Sequence, residues 1–483
     1  MPNDLINPDL APVPPDQRTW SAWNIAALWI GMAVCIPTYM LAAGMVAQGM
    51  NWWQATLTVM AGNVIVLIPM ILNGHAGTKL GVPFPVLVRS SFGIRGAHIP
   101  ALARSLVACG WFGIQTWIGG AAIYAILGVL GVFNPATDTN LLPVLGITAI
   151  QFACFLAFWL VHVVIVIEGI DSIKKLESWA APFLIASGVA LLIWALVKVD
   201  NPAALFTSET HFADGSGFWK VFFPQLTAMV GFWATLSLNI PDFTRYSKSQ
   251  KSQVIGQVIG LPPTMTLFCF IGIIVTGATV ILFGQAIWDP VKLVEKMGSP
   301  TVVVVSMIAL LLATLSTNLA ANVVSPANGF SNIAPRLISF RTGGLMTCAI
   351  GVVIMPWRLI NDMGAYIFTW LIGYSALLGP IVGIMICDYF IIRRTRIKTD
   401  DLYDAKGPFA GINWMAMIAL LVAIAPNLPG FINAATNTAG TDNAIFPGYF
   451  DSLYSYAWFV GLGIAAVLYW VLMLGRVKPR IES

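Results

Sequence analysis

The amino-acid sequence predicts an all-α membrane protein with twelve transmembrane helices, built as a five-plus-five inverted repeat with two additional helices. Composition, the number of long apolar segments and a motif shared by the two halves support this prediction. Of the 483 residues, 58% are hydrophobic and only 10% are charged, whereas about one quarter of a soluble domain is charged. Because so few charges cannot cover a surface exposed to water, most of the chain must be solvated by lipid.

Twelve apolar segments are long enough to cross a bilayer, which requires about 20 helical residues. Clear examples contain residues 302–313 and 416–425. Because the number is even, both termini lie on the same side of the membrane. The predicted spans are centred near residues 34, 63, 116, 154, 188, 231, 270, 313, 352, 378, 418 and 466.

The distribution of positive charge predicts which side this is, because cytoplasmic loops of membrane proteins are enriched in Lys and Arg. With the amino terminus inside, 20 of the 25 basic residues, Arg104 among them, fall in cytoplasmic segments. We therefore expect an inner (plasma) membrane protein with both termini in the cytoplasm. The net charge of +4 follows from these loops and indicates no nucleic-acid partner. The basic residues left outside are Lys198, Lys220, Lys292, Lys296 and Arg358.

The chain is predicted to form one membrane domain, because no hydrophilic stretch is long enough for a separate soluble domain. Residues 1–20 are polar and Pro-rich and lack the apolar core of a signal peptide, so we expect a short disordered cytoplasmic tail. Residues 21–483 form the transmembrane domain. Within it we expect a first repeat over 21–200, a second, inverted repeat over 221–400 and the two additional helices within 408–475.

Both halves begin with the same motif: Trp, six residues, Ile-Pro, any residue and an aromatic residue. One copy runs from Trp29 to Tyr39 and the other, 204 positions later, from Trp233 to Phe243. A proline inside a span removes a backbone hydrogen bond and breaks the helix, so helices 1 and 6 are predicted to be discontinuous. Matched broken helices indicate a transporter site near the middle of the membrane, and a displacement of five spans gives the copies opposite orientations. The alternative is a chance match of common membrane residues.

Span three carries a flat stacking surface at Trp111, with the amide of Gln115 one turn away. An amide both donates and accepts hydrogen bonds, so this pair suits the alternating N–H and C=O edge of a cyclic ureide or imide. Contact with lipid or helix packing is the alternative interpretation of both residues.

Span eight is unusually polar for the centre of a bilayer. Ala313, Ser316 and Thr317 share one helix face, and Asn318 and Asn322 share another. Hydroxyl groups together with the backbone carbonyls of a broken helix form an oxygen cage that suits Na⁺. Hydrogen bonding between helices, which Ser, Thr and Asn commonly provide in membrane bundles, is the alternative.

Four segments of the chain resemble the nucleobase:cation symporter-1 family, which includes hydantoin, allantoin, uracil and cytosine permeases. They read NGHAGTKLGVPFPVLVRSSFGIRGAHIPAL at 73–102, WFGIQTW at 111–117, GFWATLSLNIPDFTRY at 231–246 and ATLSTNLAANVVSP at 313–326. The resemblance implies a leucine-transporter-type fold. It also implies a secondary active symporter that imports a small planar nitrogen heterocycle by alternating access, coupled to Na⁺ or H⁺. Such a substrate is allantoin, uracil or a related nucleobase or hydantoin.

The resemblance further implies which residues bind the ligands. In the family's hydantoin transporter, the substrate ring lies between two tryptophans that correspond here to Trp111 and Trp233, and Gln115 and Asn322 correspond to the amides that bind the edge of the ring. For Na⁺, the corresponding groups are the backbone carbonyls of Gly31, Val34 and Ala313 and the hydroxyls of Ser316 and Thr317.

Two residues of the expected pocket wall depart from the hydantoin transporter. Cys35 replaces a Gln in the broken part of span one, and Phe232 replaces a Gly before the tryptophan of span six. Around both Ile-Pro motifs the chain is more similar to the allantoin and uracil permeases. Hydantoin is therefore not the expected substrate. No cofactor and no obligatory protein partner are expected beyond the heterocycle, the coupling ion and membrane lipids.

Other functions fit the residues less well. A proton-coupled permease for cytosine, purines or a vitamin is the alternative within the same class. A membrane-embedded enzyme would need an acid–base pair, a nucleophile or a metal cluster inside the bilayer. A channel would need a continuous polar pore lining, whereas the polar residues here gather at one depth.

The charge distribution makes the orientation testable. Reporter fusions at both termini should report the cytoplasm, and a cysteine introduced in the 133–141 loop should react with an impermeant thiol reagent added outside. A cysteine in the 247–252 loop should react only after the membrane is permeabilised. External labelling at 247–252 would show that the orientation is inverted.

Overall fold

The computed structural model describes residues 4–168, 185–206, 212, 215–297, 299–360, 365–436 and 444–476. Within these ranges, eight helices are long and apolar enough to cross a membrane, and two further helices form a ninth span with a bend of 60°. Four residues of the charge analysis, Lys174, Lys175, Lys478 and Arg480, lie outside the described residues.

Three shorter apolar helices join these nine spans, and each predicted centre falls within one element of the resulting set. In chain order the elements are α1 (Ala22–Ala33 and Ile36–Ala47), α2 (Trp52–Leu80), α3 (His98–Val129), α4 (Ala149–Glu168), α5 (Ile185–Lys198), α6 (Gly215–Asn239), α7 (Gln250–Phe283), α8 (Pro300–Asn322), α9 (Phe340–Val353), α10 (Ile372–Ile386), α11 (Trp414–Ile424) and α12 (Ala457–Met473).

Several spans extend beyond these core helices. α8 continues as Val324–Ile333, α10 is flanked by the π-helical segments Ala365–Leu371 and Cys387–Ile392, and α11 leads into Leu428–Thr436. Short helices in the connections are Phe84–Leu87, Arg89–Phe92, Pro290–Lys296 and Tyr449–Tyr454. In the bundle, α7 packs along α1 and α2, α3 packs along α4 and α8, and α10 packs along α12.

Two glycines let α7 approach the first half of α1 closely. A Cβ atom at Gly260 would lie 2.8 Å from the Cβ of Trp29 and 2.9 Å from the Cα of Ala26, and one at Gly256 would lie 2.5 Å from the Cβ of Ile25. Small residues at such interfaces are typical of helix packing in membranes. This contact holds the segment that leads into the break of α1.

The break in α1 lies at Val34 and Cys35. The backbone leaves the helical region there, with φ −82° and ψ 78° at Val34 and φ −142° and ψ 161° at Cys35. Pro37 follows within the first turn of the second half, where its missing N–H costs nothing because first-turn N–H groups have no helical partner. The proline therefore ends one helix and starts the next, as the motif predicts.

The second copy of the motif also starts a new helical segment. α6 ends at Asn239, and a short helix, Pro241–Thr244, follows. Ile240, between the two, keeps a helical conformation with φ −52° and ψ −28° and donates its N–H to the carbonyl of Leu236. The interruption in α6 is therefore milder than that in α1.

Residues 4–20 pack against the membrane domain, so the prediction of a disordered tail is wrong for this segment. Leu10 is fully buried. The N–H of Val13 donates to the carbonyl of Gly81, and Trp20 exchanges backbone hydrogen bonds with Tyr246 and Lys248. Composition alone missed this, because these residues bind backbone groups that only the folded domain brings together.

Arg18 connects this segment to the end of α2. Its Nη1 donates to the carbonyls of Thr78 at 2.9 Å and Lys79 at 3.3 Å, and its Nε donates to the carbonyl of Val13 at 3.0 Å. Carbonyls in the last turn of a helix have no partner within the helix, and a cation near them is favourable.

Replacing Arg18 should therefore destabilise the protein without disturbing the membrane core. We expect Arg18→Gln to lower the free energy of unfolding by roughly 1 kcal/mol, seen as a lower apparent Tm in detergent. The exposed Arg95 provides the control, and Arg95→Gln should leave the Tm unchanged. Equal Tm values for both variants and the natural protein would contradict the structural role of Arg18.

Candidate functional site

Two indole side chains, one on α3 and one on α6, form the centre of a buried aromatic cluster. Trp111 is 5% exposed and Trp233 is 3% exposed. Phe232 contacts both of them edge to face, with its ring centroid 5.2 Å from that of Trp111 and 5.0 Å from that of Trp233. A flat ring that binds against both indoles would therefore also contact this phenyl ring.

α1 and α10 complete the cluster. Trp29 packs edge to face on Trp233, with 5.2 Å between ring centroids. On the other side, the ring of Tyr374 lies 6.3 Å from that of Trp111. The hydroxyl of Tyr374 donates to the carbonyl of Gly231 at 2.8 Å, which links α10 to α6 beside the cluster. Four helices thus meet around the two predicted stacking residues.

Several polar atoms near this cluster are buried and have no hydrogen-bond partner among the described residues. They include Oε1 of Gln115, Nε1 of Trp233 and Oγ of Ser316. A buried polar atom without a partner costs about 1–3 kcal/mol, and nearly all such atoms are paired in native proteins. Unpaired atoms beside buried aromatic rings are typical of a site where the ligand supplies the missing partners.

The two predicted amides lie on helices that pack together. Gln115, on α3, is 3% exposed, and Asn322, the last residue of α8, is 4% exposed. The Nδ2 of Asn322 donates to Oδ1 of Asn318, one turn earlier, at 2.9 Å. Their binding to a substrate remains a prediction.

The residues predicted for Na⁺ meet where the break of α1 faces α8. The hydroxyl of Thr317 donates to the carbonyl of Gly31 at 3.2 Å, and Val34 packs against Ala313. Ser316 is 1% exposed. The oxygen atoms gathered here are all neutral, and Na⁺ is commonly coordinated in this way beside broken helices.

Cys35 lies in the break, but its thiol has a partner within α1. Its Sγ lies 3.1 Å from the Oγ1 of Thr38, and the residue is 2% exposed. Cysteine is shorter than the glutamine of the family's hydantoin transporter, and the thiol of Cys35 is already hydrogen-bonded. Contact between Cys35 and the substrate remains a prediction.

Sequence reasoning missed two features of this region. Trp29 occupies the same motif position as Trp233, and this correspondence was the signal that could have placed it in the site. Arg104, counted above with the basic residues of the cytoplasmic segments, lies inside α3 and is 1% exposed. Its Nε donates to the carbonyl of Thr235 at 3.1 Å and to Oδ1 of Asn239 at 2.9 Å, and these partners on α6 offset the cost of burying the charge.

Comparison with known proteins identifies the family of the chain. The family model for permeases for cytosine/purines, uracil, thiamine and allantoin matches residues 12–461. The chain is 44% identical to a purine-uracil permease of Arabidopsis thaliana over 99% of this chain and 80% of that protein. It is 38% identical to an allantoin permease of Bacillus subtilis over 99% of this chain and 94% of that protein.

Solved structures show the same fold. A nucleobase-cation-symport-1 family transporter, in a closed conformation with bromovinylhydantoin bound, matches with a TM-score of 0.78 and 28% identity over 97% of this chain and 95% of that chain. A Na⁺-coupled sialic acid symporter matches with a TM-score of 0.63 and 13% identity over 96% of this chain and 92% of that chain, which supports the fold alone.

The helical bundle, the broken first helix and the buried site beside it define a membrane transport protein of the five-plus-five inverted-repeat class, not an enzyme. The chain belongs to the nucleobase:cation symporter-1 family, whose members are permeases for cytosine and purines, uracil, thiamine and allantoin. The predicted fold class and family are thereby confirmed.

The two stacking residues make the site testable by substitution. Trp111→Ala and Trp233→Ala should each weaken binding of a planar ring by about 5- to 150-fold, because stacking contributes roughly 1–3 kcal/mol per face. Ligand binding to purified protein, measured by quenching of intrinsic fluorescence or by calorimetry, gives the affinities.

Trp117 is a matched control on the same helix, because its ring packs against Trp357 at 5.4 Å instead. Trp117→Ala should lower the Tm but leave the affinity nearly unchanged. If the folded Trp111→Ala and Trp233→Ala proteins bind as tightly as the Trp117→Ala protein, the two tryptophans do not form the site.

Proposed function

We propose that the protein is a Na⁺-coupled symporter that imports a small planar ring with alternating N–H and C=O groups, of the allantoin or uracil kind. The observation that carries this proposal is the unpartnered, buried Oε1 of Gln115 on the helix that also carries Trp111. This atom can only accept a hydrogen bond. A ring N–H would satisfy it while the ring stacks on the indole faces.

We propose that the amides of Gln115 and Asn322 together bind an edge of alternating N–H and C=O groups, which favours ureide and imide rings over cytosine. Cytosine carries an exocyclic amine where uracil, allantoin and hydantoin carry a carbonyl. A buried group left unpaired costs about 1–3 kcal/mol, which corresponds to about 5- to 150-fold in affinity. The similarity to purine-uracil and allantoin permeases supports the same substrate class.

Phe232 restricts the size of the ligand. Its ring contacts both Trp111 and Trp233, at a position where the family's hydantoin transporter has a glycine. A bulky aromatic substituent on the ring would have to displace this phenyl group. We therefore propose that small unsubstituted rings are preferred over aryl-substituted hydantoins.

Coupling to Na⁺ would arise because one ion would bridge two parts of the fold. Support comes from the hydroxyls of Ser316 and Thr317 on α8 and from the carbonyls of Gly31 and Val34 at the break of α1. In the sodium-bound state, we propose that the Thr317 hydroxyl turns its oxygen to the ion and no longer donates to Gly31. An ion held by both helices stabilises one arrangement of α1 against α8. In this proposal the substrate binds to the same arrangement, so the ion and the substrate strengthen each other's binding.

A proton is the second candidate for the coupling ion, because one carboxyl group lies buried close to the site. Asp242 is 2% exposed and accepts hydrogen bonds from the N–H of Phe84 at 2.9 Å and from Nδ2 of Asn239 at 3.2 Å. Asn239 in turn accepts from Arg104. Protonation of Asp242 would therefore change a network that connects α3 and α6.

For the cellular setting we propose the inner (plasma) membrane, with both termini in the cytoplasm, on the strength of the charge distribution. The partners are the heterocyclic substrate, the coupling ion and membrane lipids.

Uptake by proteoliposomes tests the transport cycle and the coupling ion together. Labelled allantoin and uracil should accumulate under an inward Na⁺ gradient, and a pH gradient alone should not drive uptake. Thr317→Val keeps the shape of the side chain but removes the hydroxyl, so it should abolish the Na⁺ dependence of both uptake and substrate affinity.

Thr347→Val is the matched control, because this buried threonine lies on α9 and donates to the carbonyl of Gly343 in its own helix. It should retain full Na⁺ dependence. The proton mechanism would replace the Na⁺ mechanism under two results. The natural protein would take up substrate in response to a pH gradient without any dependence on Na⁺, and Asp242→Asn would abolish this uptake. Absence of uptake of any ureide or imide ring would refute the proposed substrate class.

A further inference from the structure

A buried histidine on α4 is connected to the predicted substrate amide through one side chain. His162 is fully buried, and its ring packs edge to face on Phe112 and Phe158, with centroid distances of 5.2 Å and 4.7 Å. Both ring nitrogens have polar neighbours. Nδ1 lies 2.9 Å from the carbonyl oxygen of Phe158, and Nε2 lies 3.1 Å from Nδ2 of Asn318.

These neighbours determine the position of the ring proton. A backbone carbonyl only accepts hydrogen bonds, so Nδ1 of His162 must carry the proton that it donates to Phe158. The Nε2 of the neutral ring is then an acceptor. It receives a hydrogen bond from Asn318, whose amide nitrogen has no lone pair to offer in return.

The orientation of the Asn318 amide is fixed by a second, independent contact. Its Nδ2 also lies 3.1 Å from the carbonyl oxygen of Phe112, and only a nitrogen donor is favourable there. Turning the amide over would bring its oxygen against that carbonyl and against the Nε2 lone pair of His162. The amide nitrogen therefore points to α3 and α4, and Oδ1 points along α8.

The orientation of the Asn318 amide also determines that of the Asn322 amide, one helical turn further on. Oδ1 of Asn318 accepts the hydrogen bond from Nδ2 of Asn322 at 2.9 Å. Because the acceptor is Oδ1, the amide of Asn322 must present its nitrogen to Asn318. Its own carbonyl oxygen is the atom that remains for a ligand.

We propose that His162 and Asn318 are positioning residues that fix the amide of Asn322 so that it offers an acceptor to the substrate. The permease would thereby select rings that bring an N–H to this point and reject rings that bring a carbonyl or a methylated nitrogen. This inference rests on the proposed function, since it assumes that Asn322 contacts the transported ring.

Methylated rings test which ring N–H group the site binds. Uracil has two ring N–H groups, and 1-methyluracil and 3-methyluracil each lack one of them. We expect the natural protein to bind the isomer methylated at the nitrogen that faces Asn322 about 5- to 150-fold less tightly than uracil, because the methyl group leaves Asn322 unpaired. If uracil itself does not bind, hydantoin with 1-methylhydantoin and 3-methylhydantoin forms the equivalent set.

The affinity for uracil divided by the affinity for that isomer is the readout, because a purely structural defect weakens both ligands equally and leaves this ratio unchanged. Asn318→Leu keeps the volume but frees Asn322 to rotate, so the ratio should fall close to one. His162→Leu removes one of the contacts that hold Asn318, so the ratio should fall by about 2- to 10-fold. His162→Gln supplies a carbonyl acceptor in place of Nε2, so it should restore the natural ratio.

The possible outcomes separate this inference from the proposed function. Folded His162→Leu and Asn318→Leu proteins that bind the parent ring and keep the natural ratio would refute the positioning role and leave the proposed function intact. Binding of both methyl isomers as tightly as uracil by the natural protein would also refute it. Failure of the natural protein to bind uracil, allantoin or hydantoin would refute the proposed function itself. If Asn318→Leu does not fold, the comparison of His162→Leu with His162→Gln decides the question.

Discussion

The fold depends on one requirement, which is that polar backbone groups exposed by a broken helix must find partners inside the protein because lipid offers none. α1 leaves the helical conformation at Val34 and Cys35, so the N–H of Cys35 donates to Ala33 instead of to the Gly31 carbonyl one turn earlier. α8 compensates for this loss, with the Thr317 hydroxyl donating to the carbonyl of Gly31. The close packing of α7 on Trp29 and Ala26 holds the same segment from the other side. A transporter can use this arrangement, because the groups that satisfy the break are also groups that can bind an ion.

The proposed substrate site is built directly on this break. Trp29, just before the break, packs on Trp233, and Trp233 is connected through Phe232 to Trp111 on α3. Two long helices, α3 and α8, enclose the Asn318 side chain that contacts both Phe112 and Asn322. α8 thus carries the amide network and the proposed ion ligands, and α1 carries Trp29 beside the proposed ring site, so a shift of α1 against α8 would change all three. This shared framework gives a physical basis for coupling in a bundle with neutral ligands.

The sequence predicted the features that depend on one helix at a time. The centres of the spans follow from hydropathy, and both Ile-Pro motifs begin new helical segments because proline acts locally. Contacts between distant segments could not be predicted in the same way. The burial of Arg104 could not be predicted, because its partners on α6 are more than one hundred residues away. Residues 4–20 were predicted to be disordered, because their partners lie at the ends of other helices. His162 gave no signal, since a lone histidine in an apolar span has no recognisable spacing. The resemblance to the family, and not the spacing, brought Trp111 and Trp233 into one proposed site.

The central claim is that a planar ring lies between Trp111 and Trp233 beside an ion held at the break of α1. An experimental structure with bound 5-bromouracil in Na⁺ tests it most directly, because the bromine marks the ring independently of its shape. The account predicts ring density against both indoles and in contact with the Phe232 ring, and density for an ion between the Gly31 carbonyl and the Thr317 hydroxyl. Bromine density outside the aromatic cluster, with Thr317 still donating to Gly31, would contradict it.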